Sequence, residues 1–162
     1  MFWVSKTIIW IPLWLFFIYL LVVLYKRKAF PNILVLIGSV VLADLGSVYL
    51  FKNVFERLRP CHNPQIQDLV HLVNNHCGGQ FGFVSSHAAN MFAIASMMFL
   101  MIRHRYPKSY IPLFLWAALI GYSRIYLGVH YPGDVLFGAL FGSLVAWLLW
   151  IVSRQFQFFR HS

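Results

Sequence analysis

Charge is scarce in this sequence. Only 10% of its 162 residues are Asp, Glu, Lys or Arg, against roughly 25% in a soluble globular chain. A chain of this size with so few charges cannot cover a water-facing surface, so lipid is the expected solvent. Acid is scarcer still, with four Asp and Glu against 13 Lys and Arg, for a net charge of +9. Such an excess can signal nucleic acid. Here the Lys and Arg lie in short loops between apolar runs, which argues against a nucleic-acid partner. There is no internal repeat, low-complexity tract or linker. One domain over 1–162 is the expected organisation.

What is abundant is apolar: 60% of the residues are hydrophobic. Five runs stand out, near Thr7–Tyr25, Ile33–Phe51, Ser86–Ile102, Ile111–Val129 and Val135–Val152. Each has about the length needed to cross a hydrocarbon core of about 30 Å. The first run is too long for an ordinary signal peptide and lacks a small-residue cleavage site behind it. The expected fold is therefore all-α: an integral membrane bundle of about five transmembrane helices with an outward-facing loop segment.

Basic residues set the orientation. Lys26, Arg27 and Lys28 follow the first run, Arg103, Arg105 and Lys108 the third, and Arg154 and Arg160 the fifth. The positive-inside rule puts these on the cytoplasmic side. The N-terminus, the Phe51–Ser85 segment and the Val129–Asp134 turn then face outward. Lys52, Arg57, Arg59 and Arg124 break the rule, and anion binding is the natural reason. The only cysteines, Cys61 and Cys77, fall in the outward segment, where an oxidising compartment favours a disulfide.

Three segments carry chemistry. In Phe51-Lys52-Asn53-Val54-Phe55-Glu56-Arg57-Leu58-Arg59-Pro60, Lys52 and Arg59 are seven apart and on a helix would share a face before Pro60 stops it. Two cations there make an anion site; the segment alone also reads as a snorkelling Lys and an Arg paired with Glu56. In Val84-Ser85-Ser86-His87, a Ser caps the third helix, whose N–H groups and dipole attract phosphate, with His87 beside the anion. A plain cap with an interfacial His is the alternative. In Ser123-Arg124 through His130-Tyr131-Pro132-Gly133-Asp134, Arg124 lies in an apolar run, where a charge is costly and usually functional. His130 and Asp134 are four apart. A carboxylate on one imidazole nitrogen leaves the other free as a nucleophile.

Together the segments resemble the type 2 phosphatidic acid phosphatase superfamily, with its signature K-x6-R-P, P-S-G-H and S-R-x5-H-x3-D. The first part is Lys52 to Arg59-Pro60, and the third is Ser123-Arg124, His130 and Asp134. The second departs, with Val84 for the Pro and Ser86 for the Gly. The signature runs from 52 to 134. The resemblance implies His130 as the nucleophile, Asp134 as its orienting partner and His87 as the general acid. It implies Lys52, Arg59 and Arg124 as a phosphate clamp, with Ser85, Ser86 and nearby N–H groups helping, and it implies neither metal nor other cofactor. Relatives of this type carry extra residues before the first span, so an altered first helix or a shortened start is expected. Soluble vanadium haloperoxidases share the superfamily's pocket and are resembled least. Asp44, inside the second run, is expected to face the bundle and accept hydrogen bonds.

Other functions compete with this reading. Cys61, His62, His71, His76 and Cys77 offer zinc ligand types, but at no common zinc spacing. His87 and His130 could ligate haem, yet both sit beside cations that suit an anion better. A non-catalytic transport subunit would use Arg124 and Asp44. On substrate, the outer loop from Cys61-His62-Asn63-Pro64 to Cys77-Gly78-Gly79-Gln80-Phe81-Gly82 looks like small bacterial undecaprenyl-diphosphate phosphatases. That resemblance implies a lipid phosphate or diphosphate as partner, undecaprenyl diphosphate first, at the periplasmic face of a bacterial inner membrane. Phosphatidylglycerophosphate, phosphatidic acid and lipid A 1-phosphate are the alternatives.

Overall fold

The computed structural model describes residues 1–73 and 77–159. His76 and Arg160, which entered the zinc and orientation readings, lie outside them. The described residues are almost all helical, with one isolated antiparallel bridge between Leu58 and Phe81. A short helix α1 (Phe2–Ser5) and a 3-10 turn lead into α2 (Ile11–Tyr25). The chain reverses at Lys26, where φ is 49°, and enters α3 (Ala29–Gly46). A π-helical turn, Ser47–Lys52, extends α3 into the short α4 (Asn53–Phe55). Then come the loop, α5 (Ser86–Ile102), α6 (Tyr110–Tyr126) and α7 (Pro132–Phe159).

The stretches Thr7–Phe55 and Pro132–Gln155 are each long and apolar enough to cross a membrane, and the first contains two of the expected spans joined at Lys26. Large apolar side chains stand exposed along the outside, among them Leu15, Phe30, Leu34, Leu115, Leu140 and Leu148. A water-soluble chain rarely exposes so wide an apolar belt. In a bilayer the belt is the solvated surface, and helices satisfy their own backbone groups there. The expected helical membrane bundle is therefore the architecture found. Its helix bounds differ from the apolar runs because hydropathy stops where helix does not: α7 continues through polar residues to Phe159.

α5 is the centre of the bundle. Its Met91, Met97, Met98 and Met101 are buried in one core with Phe17 and Leu21 of α2, Leu36 of α3, and Trp116 and Ile120 of α6. Flexible thioethers suit the irregular space among several helices. Against α7 the packing is of another kind. A Cβ added to Gly138 or Gly142 would collide with the carbonyl oxygen of Ser85 or Ala89. Small residues four apart let the two backbones touch, as is common between membrane helices. This seam fixes the start of α5, with Ser85 and His87, against the start of α7, with Asp134.

One sequence expectation fails here. Lys52 and Arg59 do not share a helix face. The helix ends at Phe55, and Glu56 adopts a left-handed conformation (φ 45°), leaving Arg59 extended at φ −65°, ψ 157°. Arg59 is returned to the site by the loop instead. Its N–H donates to Gln80 O (3.1 Å), while Gly82 N–H donates to Arg57 O (2.8 Å). The seven-residue spacing holds, but the chain meets it with a turn. The Glu56 pairing is not present either; the arginine that finds a carboxylate is Arg57, and the carboxylate is Asp134.

Candidate active site

The signature residues gather at one end of the bundle, each set there by a helix terminus. Ser85 caps α5: its Oγ accepts the N–H of Ala88 at 3.4 Å, and its own N–H donates to Asp134 O at 3.0 Å. His87 follows in the first turn, partly open to the site. α6 ends at Tyr126, and Gly128, at φ 72°, turns the chain toward His130. A side chain at Gly128 would be strained and would press on Val70 and His71 O, so the turn depends on glycine. Pro132 then opens α7 with Asp134 in its first turn.

His130 and Asp134 are both buried, 3% and 0% exposed. His130 Nδ1 lies 3.4 Å from Asp134 Oδ2, and the same oxygen accepts the Tyr131 N–H at 2.9 Å. Pairing at Nδ1 leaves Nε2 for chemistry, the division of labour the four-residue spacing implies. Burial, and then the charges of Arg59, Arg124 and Lys52, push the His130 pKa from 6.5 down to about 2. Burial likewise lowers the pKa of Arg59.

The cations are held by different parts of the chain. Lys52 Nζ donates to Ser86 Oγ at 2.7 Å, and Ser86 Oγ lies 2.6 Å from Ser47 Oγ. Arg59, 8% exposed, donates from Nε to Phe81 O and from Nη1 to Cys77 O, both at 3.3 Å. Arg124 donates from Nη1 to Ser5 Oγ of α1, and its Nε is buried with no partner among the described residues. A charged N–H so placed is a donor awaiting an acceptor. Lys52, Arg59, Arg124 and His87 all lie within electrostatic reach of His130, which pairs with Asp134. Ser85 and Ser86 lie beside them, the first as a helix cap and the second as a partner of Lys52.

Cys61 and Cys77 form a disulfide. His62 lies near both sulfurs, but sulfurs bonded to each other are not thiolate ligands, so the zinc set loses two members. His62 Nε2 is within 3.3 Å of Gly78 O instead. Asp44 accepts a hydrogen bond from Asn90 Nδ2 at 2.9 Å yet stays exposed, where the sequence suggested a bundle-facing residue.

Arg57 is the site neighbour whose partner the sequence did not reveal: anion binding was expected of it, and the anion it meets is the carboxylate of Asp134. Its Nη2 pairs with Asp134 Oδ1. Its guanidinium lies between the rings of Phe83 and Tyr131, 4.9 and 5.0 Å from their centroids, positions that favour a cation. The available signal was its breach of the charge rule, two residues before Arg59. The apolar Leu58 between them gave no hint that the two arginines serve different partners.

The family model described as PAP2 superfamily matches residues 31–158. A lipid A 4'-phosphatase from Bacteroides thetaiotaomicron is 36% identical over 154 residues, covering 93% of this chain and 67% of that protein. An undecaprenyl-diphosphatase from Sulfolobus acidocaldarius is 30% identical over 150 residues, covering 89% and 63%. The crystal structure of a transmembrane PAP2 type phosphatidylglycerolphosphate phosphatase from Bacillus subtilis superposes with a TM-score of 0.62 at 24% identity, covering 93% of this chain and 72% of that one, and shares its fold. The chain spans from about half to two thirds of the length of the curated relatives it matches. From the family match over most of its length, and from membrane-length helices in the fold of a transmembrane relative, the chain belongs to the PAP2 superfamily and is a membrane phosphatase of that type.

Proposed function

We propose that this chain removes a phosphate from a lipid by transfer through His130, without a metal, at the outward face of the membrane. The observation that carries the reading is His130, buried and paired through Nδ1 with Asp134 while three cations act on its ring. His130 Nε2 attacks phosphorus in line as the bond to the lipid oxygen breaks. His87 protonates that oxygen. Water then attacks the phosphohistidine and gives its proton to His87, so His130 leaves as neutral imidazole and the enzyme is restored. Lys52, Arg59 and Arg124 offset charge on the three equatorial oxygens, the main demand of phosphoryl transfer.

Two substrate classes have support. The Bacteroides relative, a lipid A 4'-phosphatase, favours a sugar-lipid phosphomonoester. The Sulfolobus relative, an undecaprenyl-diphosphatase, and the Cys61–Gly82 loop favour a polyprenyl diphosphate. Basic residues at the opposite end of the bundle support an outward-facing site in a bacterial inner membrane. The test is phosphate release by purified protein from sugar-lipid, glycerolipid and polyprenyl phosphates. Release from none of them refutes the reading. Activity with the site in right-side-out vesicles, and protection in inverted ones, is the expected orientation result.

A further inference from the structure

Asp44 is a charged group near the site that the phosphatase mechanism leaves without a role. This carboxylate sits within α3, yet it is exposed and not sealed into the core. A carboxylate facing hydrocarbon alone would be costly, and residues of this kind line polar openings. Asp44 Oδ1 accepts from Asn90 Nδ2 of α5. Asn90 Oδ1 is buried with no partner among the described residues, and no donor among them serves the second Asp44 oxygen. The pair therefore presents two acceptor oxygens, one buried on Asn90 and one open on Asp44. The buried Asn90 oxygen is costly to leave unpaired and calls for a donor.

The position of the pair is defined by the site above it. Asn90 is three residues after His87, so it lies on the same face of α5, about 4.5 Å deeper along the helix. The backbone beside Asp44 is tied to the site by a polar chain: Lys52 Nζ to Ser86 Oγ, Ser86 to Ser47, and Ser47 Oγ to the main-chain carbonyl of Asp44 at 2.7 Å. The charge of Asp44 acts on both Lys52 and His87. In the proposed reaction His87 protonates the leaving oxygen, so the leaving group begins at His87 and continues inward past Asn90 and Asp44. What meets that pair is the part of the lipid next to its phosphoester.

We infer that Asp44 and Asn90 form a hydroxyl-binding subsite beneath the phosphate pocket, which selects lipid phosphates whose leaving group carries hydrogen-bond donors beside the ester oxygen. A phosphorylated sugar lipid meets this demand. The leaving group of a polyprenyl diphosphate is a polyprenyl phosphate, whose ionised oxygens beside the broken bond are acceptors themselves and would leave both Asp44 and Asn90 oxygens unpaired. The inference rests on the phosphatase reading above and decides between its two substrate classes.

The experiment compares a long-chain alkyl glucoside phosphate with an alkyl phosphate of the same chain length and with a polyprenyl diphosphate. Wild-type kcat/KM is expected to be higher for the glucoside phosphate by about tenfold or more, the worth of one or two such hydrogen bonds. Asp44→Leu and Asn90→Leu should each reduce that ratio about tenfold, and Asp44→Asn, which keeps an acceptor oxygen, should reduce it less. Equal wild-type turnover of the glucoside and alkyl phosphates overturns the subsite and leaves the phosphatase reading standing. So does a ratio that the Leu variants do not move, or turnover lost on all substrates together, since either gives the pair a purely structural role. Release of phosphate from no substrate by the wild type removes the phosphatase reading, and the subsite with it.

Discussion

Arg57 and Asp134, 77 residues apart in sequence, form an ion pair on the oxygen of Asp134 that His130 does not use. One carboxylate thereby orients the proposed nucleophile with Oδ2 while Oδ1 is anchored by a cation stacked between Phe83 and Tyr131. Arg57 touches neither phosphate nor imidazole in this arrangement; it is a positioning residue. Arg57→Ala should lower kcat by about 10- to 100-fold, the range for groups that orient a reacting ligand. KM for the lipid should move far less. Arg57→Lys, which keeps the charge but not the planar fork, should recover only part. A rise in KM with kcat intact would place Arg57 in the phosphate clamp instead.

His130→Ala and His87→Ala should each reduce turnover about a thousandfold or more, the scale for a nucleophile and its acid. His62→Ala, His71→Ala and His76→Ala should cost little. Acid-labile, base-stable phosphate on wild-type protein quenched during turnover, and its absence in His130→Ala, is the direct measurement. Near-normal turnover in His130→Ala would end the mechanism.

The lowered pKa of His130 predicts a specific pH response. In the native protein the imidazole binds its proton only near pH 2, against about 6.5 when exposed. The nucleophile therefore stays neutral as pH falls from 7 to 5, and any loss of rate there belongs to another group. The sign for stability is the opposite of a salt-bridged His. The unfolded chain takes up a proton that the native one refuses, so stability falls as pH drops below about 6.5 toward the native pKa. Removing a neighbouring cation with Arg59→Gln should raise the His130 pKa and bring the acid limb of activity to higher pH. An acid limb that moves to lower pH would contradict the placement of Arg59 beside His130.

The Cys61–Cys77 disulfide closes a loop of 16 residues and fixes the carbonyl that holds Arg59 Nη1. Loop-closure entropy alone gives about 3 kcal/mol. Reduction, or a Cys61→Ala/Cys77→Ala double variant, should lower the melting temperature in detergent and raise KM through a looser Arg59. Mapping of unreduced peptides should recover the two cysteines linked. An unchanged KM on reduction would mean that the Phe81 carbonyl holds Arg59 by itself.

Activity should survive EDTA and be blocked by vanadate. Lys52, Arg59 and Arg124 already supply permanent positive charge around one small volume, so a divalent ion has no charge left to offset. Vanadate adopts the five-coordinate shape of in-line transfer, and a site built for that state binds its mimics more tightly than substrate. Arg124→Ala should weaken inhibition by removing one charged contact. Activity lost with EDTA and restored by Mg²⁺ or Zn²⁺ would give a metal the role assigned to the cations.

Much of the site was legible because its residues sit at fixed spacings near helix ends. Ser85 before an apolar run marked a cap, and His130 with Asp134 across one short turn marked a pair. The bundle was legible because five apolar runs have few charges within them. What stayed hidden depends on the tertiary path. Spacing alone put Lys52 and Arg59 on one helix face, since nothing local announces the left-handed turn at Glu56. The bonds that make that turn come from Gln80 and Gly82, more than twenty residues on. Arg57 was visible as an unexplained charge, but its partner lies at the other end of the signature. Ser5 gave no signal, because a hydroxyl near the start of the chain acquires meaning only when Arg124 is folded against it.

That last contact bears on how the protein is handled at the bench. α1 spans only Phe2–Ser5 and meets α6 through Ser5 and Arg124. A spectroscopic label or epitope written into Phe2–Ser5 would sit within one helical turn of the hydroxyl that holds Arg124 and would report on a disturbed contact. Labels are better carried by the exposed outer face of α7, at Leu144 or Leu148.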